Sequence, residues 1–286
     1  MYFRLHLGRK AVWILLIVLA LLAVYPVIFL SAGSLMGADE LEDCLGAVVS
    51  GAEGYASFPV LPKYPTLQHF VEVLLDSPEF FVMFWNSILI TFGVLGGQFV
   101  AGTMAAWGFA RYEFPCKRGI FLLYIVLMLL PFQVLMLSDY LLLDRLRLLD
   151  SLWAIILPGM FSTFPVFIMY RFFAEIPDSL IESARLDGAR EWQLFWYLAL
   201  PMGSSGIIAA LVLGFLEYWS LIEQPLTFIK DKSKLPLSVF LPDLTMTGKA
   251  GFLFAVSVVT FLPAIMVFMG GRDYLEQGIM AGAVKE

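Results

Sequence analysis

Six stretches of this chain contain no Asp, Glu, Lys, Arg or His, and each runs for 19 residues or more. They cover residues 11–30, 80–110, 119–138, 151–170, 198–216 and 250–271. At about 1.5 Å per residue, a helix of that length crosses a hydrocarbon core of roughly 30 Å. Charged side chains are costly in that core, so such stretches are typical of membrane-spanning helices. The sequence therefore predicts an all-α, polytopic membrane protein with six transmembrane helices.

Composition excludes most other classes of protein. Hydrophobic residues make up 60% of the chain and charged residues 15%, whereas soluble domains carry about 25% charged residues. Soluble enzymes, collagens and disordered chains are thereby excluded. The two cysteines, Cys44 and Cys116, provide no disulfide framework. The first uncharged stretch, 20 residues long, exceeds the core of about 7–15 residues in a cleaved signal peptide, so we expect it to be retained.

The distribution of basic residues predicts the orientation. We expect one transmembrane domain over 1–286, with the fifth span extended to 198–222. An even number of spans places both termini on one side, and 11 of the 18 Lys and Arg residues lie on that side. The positive-inside rule then makes both termini cytoplasmic. Residues 38–79, with eight carboxylates and one lysine, lie outside in this orientation.

Two outer segments carry local structure of their own. Residues 31–79 form the extracytoplasmic loop, in which a short helix is expected at 66–75. Between the third and fourth spans, residues 139–150 combine six leucines with Asp144, Arg145 and Arg147. This pattern predicts a short amphipathic helix along the outer surface, and packing against neighbouring helix ends explains it as well as contact with a partner does.

A cytoplasmic loop, residues 175–200, carries the most informative pattern. Ser179, followed three residues later by Glu182, predicts a capping box and a helix over 180–186. Gly188 supplies the left-handed residue that ends such a helix, and an aromatic helix follows from Arg190. Small and polar side chains near the turn favour close approach and hydrogen bonding by another protein. The residues expected at this contact are Glu182, Ser183, Ala184, Asp187, Gly188, Ala189 and Trp192.

The run Glu182-Ser-Ala-Arg-Leu-Asp-Gly-Ala189, with Trp192, Phe195 and Leu200-Pro201 after it, resembles the EAA loop of permease subunits from binding-protein-dependent ABC importers. The resemblance implies the type I ABC importer permease fold, with this loop docked as a coupling helix in a groove of a cytoplasmic ATPase. The chain departs from the family pattern at Ser183, where alanine is usual. It also lacks the second proline often found a few residues after Pro201.

Two further runs narrow the resemblance. Residues Leu216-Glu-Tyr-Trp-Ser-Leu-Ile-Glu-Gln-Pro-Leu226 resemble the end of the fifth helix in carbohydrate-type permeases. The tail, Tyr274-Leu-Glu-Gln-Gly278 with Ala281-Gly-Ala-Val-Lys285, is similar to their C-terminal signature. The whole pattern resembles the maltose-type second permease subunit and implies carbohydrate transport. Departures at Ser220 and at Glu223-Gln224 leave the identity of the sugar open.

The end of the fifth span also holds the candidate residues for the substrate path. Glu217, Tyr218, Trp219 and Ser220 combine a carboxylate with aromatic rings, which suits hydrogen bonding to hydroxyl groups and stacking on a sugar. Asn86 is a further candidate. Interfacial anchoring of Trp and Tyr is the alternative, and for Asn86 the alternative is a hydrogen bond between helices.

The chain contains no Gly-x-x-x-x-Gly-Lys-Ser/Thr phosphate loop, so we expect a non-catalytic membrane subunit whose ATP is hydrolysed by a partner. No cofactor, metal or nucleic acid is expected. The resemblance implies a bacterial-type cytoplasmic membrane and, besides lipid, three kinds of partner: a second permease subunit in a heterodimer, two ATP-binding subunits and an extracytoplasmic solute-binding protein. The alternative is a secondary transporter coupled to an ion gradient, which would need acidic or polar relays within its spans.

Overall fold

The structure is a computed structural model that describes residues 2–49, 55, 57, 61–240 and 250–283. Parts of the predicted outer loop 31–79, and Val284 and Lys285 of the C-terminal signature, lie outside the described residues. Where the chain is described, its regular structure is helical and contains no strand, as predicted for an all-α protein. The α-helices are, in chain order, α1 Tyr2–Gly33, α2 Ala38–Val49, α3 Gln68–Leu75, α4 Pro78–Gly97, α5 Thr103–Arg111, α6 Lys117–Leu129, α7 Phe132–Arg145, α8 Trp153–Met160, α9 Thr163–Ala174, α10 Asp178–Leu186, α11 Glu191–Gln193, α12 Leu200–Met202, α13 Ser204–Trp219, α14 Glu223–Phe228 and α15 Ala250–Ala283.

Four helical stretches of the described chain are long and apolar enough to cross a membrane. Their bounds are Val12–Gly33, Pro78–Arg111, Trp153–Ala174 and Ala250–Glu276. The second of them contains a π-helical turn, Gln98–Gly102, between α4 and α5. Two more stretches pass only as bent pairs: α6 with α7, bent by 105°, and Glu191–Met202 with α13, bent by 71°. The described chain is therefore polytopic, with four to six candidate spans.

The bend in the third predicted span lies at Leu130 and Pro131. Proline has no amide proton and disfavours a helical residue before it, and Leu130 is extended, with φ −76° and ψ 125°. The helix resumes as α7 and ends at Arg145. The separate amphipathic helix predicted over 139–150 is therefore wrong: its first half continues α7, and Arg147, with φ 57°, stops the helix.

By their internal packing, the described residues form two units, one within 1–80 and 241–262 and one within 81–240 and 263–286. In the first unit, residues of α1, α2 and the start of α15 form a small core that contains Met36 and Leu41. His69 lies in this unit with its Nε2 atom 3.1 Å from the carbonyl oxygen of Met36. Helix α3 confirms the helix predicted over 66–75 to within two residues.

The second unit packs its spans closely at glycines. A Cβ atom on Gly97 would lie 2.2 Å from Cγ of Met160, and one on Gly93 would lie 3.1 Å from Cδ1 of Ile156. Such small residues let helix backbones approach in a membrane, where dispersion contacts replace the hydrophobic effect between helices. A second buried cluster, which includes Phe173, Ile181 and Leu194, lies beneath the 175–200 loop and fixes its position on the spans.

Candidate functional site

Helix α10 begins close to the predicted position without the predicted cap. Its N-cap is Pro177, and no side chain caps the helix. Ser179 lies inside the first turn, where its carbonyl oxygen accepts a hydrogen bond of 2.8 Å from the Ser183 hydroxyl. The predicted capping box is therefore wrong, because the helix starts at Asp178, two residues before the predicted start at 180. A carboxylate in the first turn is favourable at the positive end of the helix dipole.

The end of α10 confirms the predicted role of Gly188 in the turn. Gly188 has a φ of 88°, in the left-handed region that residues with a Cβ atom avoid. Its amide donates to the carbonyl of Arg185 at 3.0 Å, and the amide of Ala189 donates to the carbonyl of Ala184 at 3.0 Å. These two bonds form a Schellman motif, which satisfies carbonyl groups at the helix end. The turn is therefore a fixed feature with defined hydrogen bonds.

The segment after the turn is less regular than the single aromatic helix that the sequence predicts. It consists of α11, a π-helical turn at Leu194–Ala199 and α12. Pro201 in α12 cannot donate an amide hydrogen bond to the preceding turn. A π turn holds one more residue per turn than an α-helix, which changes the direction of the side chains that follow. The helix predicted from Arg190 is confirmed as one helical stretch, Glu191–Met202, and the π turn inside it is the feature that the sequence did not predict.

The turn presents an open, partly apolar surface. Leu186 is 88% exposed and Trp192 is 55% exposed, so the turn offers apolar surface that contact with another molecule could bury. Beside them lies a cleft of about 410 Å³. Its lining residues come from both sides of the turn and are Ala184, Asp187, Gly188, Ala189, Gln193, Leu194, Tyr197 and Leu198.

The charged groups of the loop are divided between internal contacts and exposed positions. The Arg185 guanidinium donates from Nε to Oε1 of Glu191 at 2.9 Å, and this hydrogen bond raises the pKa of Arg185. The positive charge of Arg185 is thus paired with Glu191 on the other side of the turn. Glu182 and Asp187 are exposed beside the cleft. The carboxylates at the turn, rather than the arginine, are therefore placed to meet another molecule.

The end of the second span contacts this loop through two side chains that the sequence did not single out. The Arg111 guanidinium donates to the carbonyl of Phe173 at 2.6 Å, to the carbonyl of Ile176, and to Oδ1 of Asp178 at 2.6 Å. The hydroxyl of the next residue, Tyr112, donates to Oε2 of Glu191 at 2.8 Å.

The four substrate-path candidates at the end of α13 fall into two pairs. Tyr218 and Trp219 are each only 5% exposed, and the ring of Trp219 stacks on Phe215 with centroids 5.4 Å apart. Glu217 and Ser220 are exposed, although the Ser220 hydroxyl donates to the carbonyl of Leu216 at 2.6 Å. The aromatic pair is thus part of the packing, and the polar pair faces outward.

Asn86, the fifth candidate, fixes a neighbouring loop. Its amide nitrogen donates to the carbonyls of Ser233 at 2.8 Å and Leu235 at 3.1 Å. The same loop is held from the start of the fourth span, because Oδ1 of Asp150 accepts hydrogen bonds from the two amides at 230–231, at 3.0 and 2.9 Å. Neither contact could be predicted from a local sequence pattern, since they join residues about 80 to 150 positions apart.

A family model for "Binding-protein-dependent transport system inner membrane component" matches residues 98–281, more than half of the chain. The chain belongs to this family. It is a multi-pass inner-membrane permease subunit of an ABC importer, which works with partner subunits and does not itself hydrolyse ATP. Membership supports the ABC importer and gives no support to the secondary transporter.

Two relatives of this permease match it over most of their length. The arabinooligosaccharides transport system permease protein AraQ of Bacillus subtilis (strain 168) is 26% identical over 279 residues, which are 97% of this chain and 96% of AraQ. The sn-glycerol-3-phosphate transport system permease protein UgpE of Yersinia pestis is 26% identical over 209 residues, 72% of this chain and 74% of UgpE. Both are similar to this permease in sequence.

A solved structure shows the same fold. One chain in the crystal structure of a bacterial ABC transporter involved in the import of the acidic polysaccharide alginate matches this permease with a TM-score of 0.80. The match covers 94% of this chain and 96% of that chain, at 18% identity. The ABC importer permease fold predicted from the sequence is thereby confirmed.

Proposed function

We propose that this permease forms half of the path by which an ATP-driven importer moves a carbohydrate, and that the 175–200 loop couples it to a separate ATPase. The full transporter then contains a second permease subunit, two ATP-binding subunits and an extracytoplasmic solute-binding protein, all associated with the membrane. Both termini lie in the cytoplasm. Support for a carbohydrate comes from the name of AraQ, a relative along nearly the full length of the chain.

The observation that carries the proposal is the exposed turn after α10. The turn carries only small side chains at Ala184, Gly188 and Ala189, so the backbone of a partner can approach it closely. Around these small residues, Glu182, Ser183 and Asp187 offer hydrogen-bonding groups, and Trp192 offers an aromatic face. A partner that covered this surface would bury exposed apolar side chains and accept a rigid, hydrogen-bonded turn.

The coupling mechanism follows from this geometry. An ATPase that closes on ATP moves the docked turn, and α10 and α11 carry the movement to the ends of the spans. The movement changes the transporter from outward-open to inward-open because ATP binds more tightly to one of the two states. In this mechanism α10 and α11 of the permease transmit the movement, and binding of ATP by the partner supplies the free energy.

The substrate path is assigned to the end of α13. In this proposal Glu217 and Ser220 contact the hydroxyl groups of the carbohydrate. Tyr218 and Trp219 hold that end of the helix in position through their packing, and Asn86 holds the adjacent loop. Carboxylates and hydroxyls are suitable partners for sugar hydroxyls because they accept and exchange hydrogen bonds.

A charge-reversal pair tests the docking surface. Asp187→Arg places a cation at the turn, whereas the matched control Asp144→Arg changes another exposed aspartate on the predicted outer side. The measurements are co-purification of the ATPase and ATP-dependent uptake of radiolabelled arabinotriose by proteoliposomes with the binding protein. We expect Asp187→Arg to lose both and the control to keep both. Equal ATPase recovery and uptake from the two variants would refute the proposal.

A further inference from the structure

We propose that Arg111 and Tyr112 are positioning residues that tie the coupling loop to the second span, so that movement of the loop also reaches a helix to which it is not joined in sequence. This inference rests on the proposed function of the loop. The loop is continuous with the fourth predicted span before it and the fifth after it. Helix α5, at the end of the second span, reaches it only through side chains.

Arg111 forms the first tie and is its buried partner. Its side chain is 8% exposed and lies over the ring of Trp107, with Cζ 5.5 Å from the ring centroid. Its three hydrogen bonds hold the last turn of α9, the connection at Ile176 and the first residue of α10. A planar guanidinium can satisfy these acceptors together, which a lysine ammonium cannot do in the same geometry.

Tyr112 forms the second tie, on the other side of the Gly188 turn. Its hydroxyl donates to Glu191, the first residue of α11. The same carboxylate accepts two hydrogen bonds from Arg185 in α10, at 2.9 and 3.2 Å. Glu191 therefore connects α5, α10 and α11 at one point.

The two ties act together because they lie before and after the turn. A single attachment would let α10 pivot about it, whereas attachments at Asp178 and at Glu191 fix both ends of the coupling segment relative to α5. Asp178 and Glu191 are each at least half exposed, so neither hydrogen bond is strong alone. The restraint comes from the two together with the two carbonyl groups that accept from Arg111. The geometry thus makes the coupling segment and the end of the second span move as one body.

The test uses the complete transporter in lipid nanodiscs and measures hydrogen–deuterium exchange with and without ATP and vanadate. Peptides from 178–193 report engagement of the ATPase, and peptides from 103–112 report transmission to the second span. The variants are Tyr112→Phe, which removes one hydroxyl, and Asp178→Asn, at a side chain that is 84% exposed. Asp178→Glu keeps the carboxylate, and Tyr64→Phe removes a hydroxyl from an exposed tyrosine of the predicted outer loop.

In the wild type we expect ATP-dependent changes at both segments. Tyr112→Phe removes one hydrogen bond to a carboxylate, and Asp178→Asn removes the charge of the carboxylate that accepts from Arg111. Each should reduce the change at 103–112 about threefold or more, the effect expected for a partly exposed charged pair, and leave the change at 178–193 intact. Asp178→Glu and Tyr64→Phe should resemble the wild type.

Two results would overturn the inference: an unaltered change at 103–112 in both test variants, or a parallel loss at both segments with a lower melting temperature, which would assign these side chains to loop stability alone. Failure of the proposed function looks different, because the wild type itself would then show no ATP-dependent change at 178–193.

Discussion

Replacement of Gly188 by alanine isolates the contribution of backbone conformation to docking. The φ of 88° at this residue costs a residue with a Cβ atom about 1–2 kcal/mol. Apart from the two neighbouring residues, no atom of the described chain lies within 4 Å of an added Cβ, so overlap with other segments of the described permease does not add to this cost. If the ATPase binds the turn as it stands, that cost lowers the population of the competent turn by a factor of about 5–30. The apparent Kd for the ATPase rises by the same factor.

The assay is binding of the purified ATPase to the permease heterodimer in nanodiscs, measured by biolayer interferometry. Gly188→Asn is the matched control, because asparagine enters the left-handed region more easily than alanine although it is larger. We expect the Kd to increase in the order wild type, Gly188→Asn, Gly188→Ala.

The order of the two variants decides between the physical causes. If Gly188→Asn binds more weakly than Gly188→Ala, the loss follows side-chain size, and a collision with the partner replaces the backbone explanation. If Gly188→Ala binds as tightly as the wild type, the turn is not required in this conformation, and the reasoning from its Schellman motif is refuted.

Three other predictions concern the scaffold around the site. Gly97→Leu should lower the melting temperature in detergent, because its side chain would overlap Met160 and overpacking costs about 1–3 kcal/mol; unchanged melting would contradict the close contact. Asn86→Ala should increase deuterium exchange at 232–237, since two carbonyls lose their donor; unchanged exchange would contradict this role. Hydrogen bonds from backbone amides lower the pKa of Asp150 below its ordinary 3.8. The ionised carboxylate therefore stabilises the folded protein fully above pH 3.8, and this stabilisation is lost as the pH falls through the lowered pKa. Asp150→Asn should remove this acid-dependent part of the melting temperature, and an identical pH profile in the variant would argue against it.

Local signals in the sequence were sufficient for the helix and turn of the coupling loop. The helix at 180–186 and the stop at Gly188 depend on residues within a few positions of one another, and the structure reproduces both. The cap was wrong because Pro177 and Ser179 are both acceptable near a helix start, and only the backbone decides between them. Docking of an ATPase at this turn remains a prediction.

Contacts between distant segments could not be predicted in the same way. Arg111 meets acceptors 62 and 65 positions later in the chain, and no local pattern distinguishes it from an arginine that ends a span in water. Hydropathy likewise indicates that residues 119–138 are apolar, but it does not predict that the helix bends at Pro131 or in which direction. The sequence allows Asn86 either a ligand contact or a hydrogen bond between helices, and its observed acceptors lie in a loop instead.

The π turn at Gln98–Gly102 sets the rotational phase between the two halves of the second span. Asn86 lies in the half before this turn, α4, and Arg111 lies in the half after it, α5. Each residue of an α-helix turns the chain by about 100°, so shortening this turn by one residue would leave a regular helix with its two halves rotated against each other by that angle. Either Asn86 or Arg111 would then point away from its acceptors. One inserted position in the middle of a span thus decides whether both of its ends can make their hydrogen bonds at once.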